Sequence, residues 1–398
     1  MVKFLHTADW HLGIGQKQLF QQGEKAREIR KETLQNLMKI AKQKRVDFII
    51  VAGDLFHCND VSLSAKREAL EVFKVAAPIP LFILPGNHDP LGPNYPCLDP
   101  IFAEVKNLNI LKKEEPLETV PNVILFPCPL KQKRSRFDPT EWIPKTEGKI
   151  SIGIAHGNLK NEKFSDNFPI DPDRVEKSGL DYLALGEWHG YLNYGEKNTV
   201  VYSGAPEATD FGEKNAGKAV IVEIVHHGSR PRLDVIEIGK LQWETKEKNI
   251  SKMEDLERIE LELENLDNPD YRIIRVNLKG LVDEEMESYL EQLEKTFSKK
   301  LFFLEFNRKE LTPKTDFGKL RALMPEGVLF RKIIDSIETL KGYCSPYRKS
   351  RKKPSKSEES VSSDLIRMII EKLNPTSEVL DRAIFLLYRM AKEVENDN

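Results

Sequence analysis

Apolar positions along the chain follow two rhythms. Short β-branched runs at Val2 to Leu5, Phe48 to Val51, Leu81 to Leu84, Ile150 to Ile154 and Tyr182 to Leu185 predict strands. Between the first two, Ala26, Ile29, Thr33, Leu37 and Ile40 recur at helical spacing, and Ala65, Ala69, Val72, Phe73 and Ala76 do the same before the third. Later strands come faster, over Val123 to Phe126, Val200 to Tyr202, Ala219 to Ile224 and Leu233 to Ile238, with little helix between them. Residues 1–240 therefore read as a sheet-rich α/β sandwich in which two packed sheets bring their strand-end loops together.

A second unit begins near Trp243. Met253 to Leu263 reads as a helix, Tyr271 to Leu278 as a strand, Glu284 to Phe297 as an amphipathic helix and Leu301 to Phe306 as another strand. Residues 241–312 are thus expected to form a small α/β domain, followed by a helical extension over 313–344 with a helix at Pro325 to Lys341. Residues 345–363 are rich in Ser, Lys, Arg and Glu and read as a basic linker. In residues 364–398, Ile366, Ile369 and Leu373 line one short helix, and Leu380, Ile384, Leu387, Ala391 and Val394 line another. Pro375 stops the first, and Ser377 is placed to cap the second. Two such short helices bury too little to be stable alone, so they call for a partner surface.

Composition narrows the class without naming a partner. The 398 residues are 40% hydrophobic and 31% charged with a net charge of −2, which fits a multidomain globular chain and gives no global basic signal. Locally, Lys131-Gln132-Lys133-Arg134-Ser135-Arg136 and the tract Arg348 to Lys353 concentrate positive charge, which reads either as nucleic-acid contacts or as a solvated loop and a disordered linker. The cysteines Cys58, Cys97, Cys128 and Cys344 lack zinc-ribbon spacing, and the chain opens on a strand with no signal-like segment. A reducing, cytoplasmic setting is the expectation. No apolar run approaches the ~20 residues of a membrane span, so no membrane role is expected.

The chemistry lies in the residues that follow the strands. Asp9-x-His11, Gly53-Asp54, Gly86-Asn87-His88-Asp89, His156 and Gly186-Glu187-Trp188-His189 each sit just after one of the five apolar runs. A lone histidine in such a place is more often a core residue than a ligand. Five clusters of oxygen and imidazole donors at five strand ends are a different matter, because ligands collect at the carboxyl ends of strands in sheets of this kind. Together they could hold two divalent cations roughly 3.5–4 Å apart with one carboxylate bridging.

At these residues the sequence resembles the calcineurin-like metallophosphoesterase superfamily, whose pattern runs D-x-H, G-D, G-N-H-[DE], H, G-H-x-H. The nearer resemblance is to SbcD-type DNA repair nucleases, carried by His6-Thr7-Ala8-Asp9-Trp10-His11-Leu12-Gly13, Gly53-Asp54-Leu55-Phe56-His57 and Ala184-Leu185-Gly186. It covers about the first 240 residues. The resemblance implies a two-sheet metallophosphoesterase sandwich with flanking helices, a small α/β capping domain and a C-terminal helical module. It further implies that Asp9, His11, Asp54 and His189 surround one metal, and that Asp54, Asn87, His156 and the residue at 187 surround the other. Manganese is the expected ion, with magnesium as the alternative. His88 resembles the catalytic histidine, Asp89 the carboxylate that orients it, and His57 a second histidine that contacts the phosphate. Tyr202-Ser203-Gly204-Ala205-Pro206 resembles the loop lining the substrate face, where Gly204 would permit close approach to phosphate, and the same residues also read as an ordinary strand-ending turn.

One position departs from the pattern. Glu187 stands where the superfamily has the first histidine of G-H-x-H. As a ligand it hardens the site and adds a negative charge, favouring Mn²⁺ or Mg²⁺ over Zn²⁺. As a lesion it fails to reach and leaves the second site half built.

The resemblance thus implies a two-metal phosphodiesterase trimming or opening DNA ends, as exonuclease or endonuclease, in DNA repair. Its partners would be DNA, an SMC-like ATPase of the SbcC type docked on the C-terminal helices, and a second copy bound through helices of the first domain. Two rival readings remain at this point: a phosphodiesterase or phosphatase acting on a small molecule, and a DNA-end-binding scaffold with an impaired second site.

Overall fold

The structure, a computed structural model, describes residues 1–160, 167–314 and 337. The expected helix over Pro325 to Lys341, the basic linker and the C-terminal helix pair lie outside the described residues, Ile337 apart. The described residues divide into two compact units, Met1–Glu244 with Tyr271–Ile273, and Thr245–Asp270 with residues 274–314.

The first unit runs β1 (Val2–Thr7), α1 (Gly23–Gln43), β2 (Phe48–Val51), α2 (Leu63–Ala76), β3 (Leu81–Ile83), β4 (Leu108–Ile110), β5 (Leu117–Glu118), β6 (Val123–Pro127), β7 (Ile150–His156), β8 (Asn158–Leu159), β9 (Pro169–Ile170), α3 (Arg174–Ser178), β10 (Tyr182–Gly186), β11 (Leu192–Tyr194), β12 (Val200–Tyr202), β13 (Lys218–Ile224) and β14 (Arg232–Glu237). Two six-stranded sheets result, ordered β14-β13-β1-β2-β3-β4 and β11-β12-β10-β7-β6-β5. The strands β1 to β4 are mutually parallel, as are β6, β7, β10 and β12. Antiparallel strands complete the rest of each sheet.

Alternation along each strand serves two cores. Val2, Phe4, Phe48, Ile50 and Phe82 meet Leu125, Ile152, Ile154, Tyr182 and Val201 between the sheets. There Phe4 stacks on Phe48 with centroids 5.2 Å apart and meets Tyr182 edge-on at 5.5 Å. On the opposite face of the first sheet, Leu5, Ile49, Val51 and Ile83 pack under Leu34 and Leu37 of α1 and Val72 and Phe73 of α2. Burial on both faces explains why these strands read as continuous apolar runs. Each fully buried side chain of this kind stabilises the fold by roughly 1.5–3 kcal/mol. The five buried residues of α2 are the five placed at helical spacing in the sequence, and Ser62 caps the helix by accepting the Ala65 N–H at 3.2 Å.

The second unit holds β15 (Gln242–Ile250), α4 (Met253–Glu264), β16 (Arg272–Val282), α5 (Glu284–Phe297) and β17 (Phe303–Pro313), with the sheet ordered β15-β16-β17. The strand β15 corrects the four-element expectation. It is an edge strand that alternates charged and half-buried residues, so it shows no apolar run. Leu256, Ile259 and Leu263 of α4 join Met286, Leu290 and Leu293 of α5 over Ile274, Val276 and Leu278 of β16.

Candidate metal centre

In the first unit the parallel strands end at one edge, and the chemistry-bearing residues follow. β1 leads to Asp9 and His11, β2 to Asp54, β3 to Asn87 and His88, β7 ends on His156, and β10 leads to Glu187 and His189. Pairing continues past the strand ends, because Asp9 N–H donates to Gly53 O at 3.1 Å and His11 N–H to Asp54 O at 3.0 Å. This tether carries strain. Asp9, His11, Asp54 and Glu187 all hold positive φ, at 55°, 46°, 51° and 100°. Such conformations cost a non-glycine residue roughly 1–3 kcal/mol each and persist where the surroundings over-determine them.

Glycines clear the space. A Cβ on Gly53 would stand 2.1 Å from His156 Nδ1, and one on Gly86 would stand 2.1 Å from Asp54 Oδ1. The Gly53-Asp54 and Gly86-Asn87 pairs therefore exist because backbone must pass directly behind the donor side chains.

The donors form adjoining groups. Asp9, His11 and His189 offer ligand atoms within 4.8 Å of one another, as do Asp9, Asp54 and His156, and as do His11, His57 and His88. Nε2 of His11 faces Nε2 of His189 at 3.0 Å. Nδ1 of His156 donates to Ala52 O at 2.9 Å, which leaves its Nε2 lone pair aimed at Asp54 Oδ2, 3.4 Å away, and Glu187 Oε2, 3.2 Å away. The Asn87 amide donates to Glu187 Oε2 at 2.5 Å, and its buried Oδ1 has no hydrogen-bond partner among the described residues. Opposed imidazole nitrogens, an orphaned amide oxygen and three buried or half-buried carboxylates fit a site for divalent cations, which accept all of those lone pairs.

Electrostatics agree with this chemistry. Burial pushes the Asp9 carboxyl up to about 6 against the pull of His189 and His156. Burial works the same way on Asp54, but His156 and His11 outweigh it and hold that carboxyl well below the ordinary range. For His189, burial is overcome by the hydrogen bond to Glu213, and the imidazole rises to about 9. Burial keeps His11 far below its usual value.

The residues expected to act in catalysis are placed differently from one another. His88 is exposed, its Nδ1 donates to His57 O at 3.1 Å, and its ring lies 4.9 Å from that of His11. His57 completes a triangle with them, its ring 5.5 Å from that of His11 and 5.1 Å from that of His88, with Nδ1 3.4 Å from Nδ1 of His11. Asp89 corrects the expectation that it orients His88. Its two oxygens accept from Gly86 N–H at 2.9 Å and Phe56 N–H at 3.0 Å, so it clamps the loops of Asp54 and Asn87 together. Gly204 takes the strand-ending turn of the two readings. It is buried at φ 76°, and a Cβ there would meet His189 O and Tyr191 N at 2.8 Å, so its close approach is to the chain's own backbone.

Sequence reasoning missed three supports. Glu213 Oε1 accepts from His189 Nδ1 at 2.6 Å, and Thr209 N–H holds its other oxygen at 2.6 Å. Asn158 donates to Glu187 Oε1 at 3.2 Å. Arg30 on α1 is buried, and burial lowers its pKa against the fields of Glu207 and Glu213. Asn158 had a signal, two residues past His156. Arg30 had one too, since it falls on the apolar stripe of α1 between Ala26 and Thr33, whereas nothing in the local pattern of Glu213 points inward.

A two-sheet α/β sandwich that gathers these donors at the strand ends has the architecture of a metallophosphoesterase. The family model of the calcineurin-like phosphoesterases matches residues 2–222, and the chain belongs to that family. Members of that family use divalent metals. The chain is 26% identical over 244 residues to the uncharacterized metallophosphoesterase YhaO of Bacillus subtilis, covering 53% of this chain and 54% of that protein. It is 27% identical over 258 residues to the SbcD component of the SbcCD nuclease of Staphylococcus epidermidis, covering 54% and 64%. It is 33% identical over 228 residues to the DNA double-strand break repair protein Mre11 of Saccharolobus solfataricus, covering 52% and 55%. The match thus spans between 54% and 64% of the length of these relatives. Among the described residues, no helix is long and apolar enough to cross a membrane.

Proposed function

We propose that the chain is a two-metal phosphodiesterase acting on DNA, a nuclease of the SbcD type that processes DNA ends in repair. The observation that carries the reading is the place of Asp54 Oδ2 between two adjoining donor groups, 3.7 Å from His11 Nε2 on one side and 3.4 Å from His156 Nε2 on the other. The nuclease relatives support DNA over a small ester as substrate.

In this reading Asp9, His11, Asp54 and His189 hold one cation, and Asp54, Asn87, His156 and Glu187 hold the other. When bound, two divalent cations supply Lewis acidity to the phosphodiester and to the attacking water. The Glu187 carboxylate reaches the group, standing 3.2 Å from His156 Nε2, which supports the ligand reading over the lesion. An added anionic oxygen favours Mn²⁺ or Mg²⁺ over Zn²⁺. His88 supplies the proton. With Nδ1–H donating to the His57 carbonyl, a ring that also carries a proton on Nε2 would give that second proton to a departing alkoxide and return to the neutral form. His57 lies against both His11 and His88 and is placed to contact the phosphate.

The proposed partner is an SMC-like ATPase of the SbcC type engaging residues 364–398, a reading that rests on the apolar spacing of that segment and on the SbcCD relatives. Incubation in Mn²⁺ with single-stranded DNA, double-stranded DNA and a small phosphodiester tests the substrate. Cleavage of DNA well above the rate on the small ester is expected. Turnover of the small ester alone would reject the nuclease reading.

A further inference from the structure

One surface beside the metal centre has the chemistry of a strand-binding element and is used by nothing described so far. In the loop from Lys131 to Phe137, Lys133, Arg134 and Arg136 are exposed and have no acidic partner among the described residues, whereas Lys131 is paired with Glu114 at 3.3 Å. Phe137 follows directly and is 79% exposed, the most exposed aromatic side chain among the described residues. Three cations without an acidic partner and one solvated ring thus stand side by side within five positions.

The loop is anchored on both sides of the centre. At its base, Leu130 N–H donates to Pro85 O at 3.2 Å and Leu130 O accepts Leu91 N–H at 2.7 Å, so it springs from the segment that carries Asn87 and His88. Further along, Asn167 Oδ1 accepts Ser135 N–H at 3.1 Å, and Asn167 donates to Lys133 O at 3.3 Å. Asn158 donates both to Asn167 O and to Glu187 Oε1, each at 3.2 Å. Ser135 is therefore two asparagines away from Glu187. Phe137 N–H donates to Ser135 Oγ at 3.0 Å, and Asp138 is buried with its carboxylate accepting the Asp171 N–H at 2.9 Å. The exposed ring rises from a fixed turn.

We propose that this loop binds the nucleic-acid strand whose phosphodiester enters the metal centre, with Lys133, Arg134 and Arg136 on consecutive phosphates and Phe137 stacked on a base. The inference rests on the nuclease reading and adds the surface that would select a polynucleotide over a small ester. Cations along a backbone beside a ring that accepts any base give affinity without sequence preference.

The test uses the full chain, a fluorescent single-stranded oligonucleotide and a salt series. Phe137→Ala should weaken binding roughly ten-fold with an unchanged salt slope, because stacking carries no counterions. The triple change Lys133→Ser, Arg134→Ser, Arg136→Ser should lower the slope of log affinity against log salt by about two, the release expected from three single-strand phosphates. Hydrolysis of bis(p-nitrophenyl) phosphate should match the parent in both variants, since that ester reaches only the metal centre. If the parent binds the oligonucleotide and both variants bind equally well, the inference is wrong while the nuclease reading survives. If the parent hydrolyses the small ester but neither binds nor cleaves DNA, the nuclease reading fails and takes the inference with it. Binding to phosphatidylserine vesicles that is lost in Phe137→Ala, with DNA binding intact, would assign the loop to a membrane surface and overturn the proposal.

Discussion

His11 and His189, 178 positions apart in the chain, point their Nε2 atoms at each other across 3.0 Å. With His189 raised to about 9 and His11 held far below its usual value, His189 Nε2–H can donate to His11 Nε2 across that distance. The arrangement is built by the surroundings, with His11 set by its backbone bond to Asp54 and His189 set by Glu213. A divalent cation held by both rings would take the two Nε2 lone pairs in place of that proton.

Glu213 should therefore govern metal affinity without touching the metal. Its carboxylate fixes the His189 tautomer and makes the ring more basic, and loss of such an outer partner typically costs 10- to 100-fold in affinity. Glu213→Gln is expected to weaken one Mn²⁺ equivalent by about that factor in a calorimetric titration. An unchanged isotherm would mean that His189 is held by other contacts.

His88 should act on turnover alone. It is exposed at the mouth, its Nδ1 is committed to a backbone carbonyl, and the centre has donors enough without it. His88→Asn is expected to lose ~10²- to 10⁴-fold in turnover while retaining bound Mn²⁺ and DNA affinity. Loss of a metal equivalent in that variant would make His88 a ligand, as its place in a group with His11 and His57 allows.

His6 should make the fold sensitive to acid. It is fully buried, Nδ1 meets the Tyr182 hydroxyl at 3.0 Å, and Nε2 has no hydrogen-bond partner among the described residues. Burial drives its pKa from 6.5 down to about 3, with a smaller opposing effect from the Leu185 backbone. Between those values the unfolded chain holds a proton that the folded chain refuses. The His6 contribution is thus intact above pH 6.5 and is lost as pH falls toward 3, at ~1.4 kcal/mol per pH unit. Denaturation midpoints at about pH 5, 6 and 7 should fall more steeply for the parent than for His6→Gln, and parallel profiles would refute this.

Much of the fold was legible because the parallel strands are buried on both faces. Phe48 to Val51 reads as one apolar run, and the strand has those bounds. The donors were legible because each follows such a run. β15 was not, since its charged alternation carries no apolar run. The role expected of Asp89 came from the resemblance and not from its surroundings. Neighbouring side chains diverge where the backbone turns sharply, and the Asp89 carboxylate went to the amides of Gly86 and Phe56 instead. Glu213 lies 24 residues beyond His189 in a polar stretch, and only the folded chain brings the two together.

The central claim is that two cations sit at these strand ends and that Glu187 helps to hold the second. Anomalous scattering from a Mn²⁺-soaked crystal tests it most directly. Two peaks are expected, one beside Asp9, His11 and His189, the other beside Asp54, Asn87, His156 and the Glu187 carboxylate, with the second lost in Glu187→Gln. A single peak in the parent, or a second peak with the Glu187 carboxylate turned away, would contradict the account.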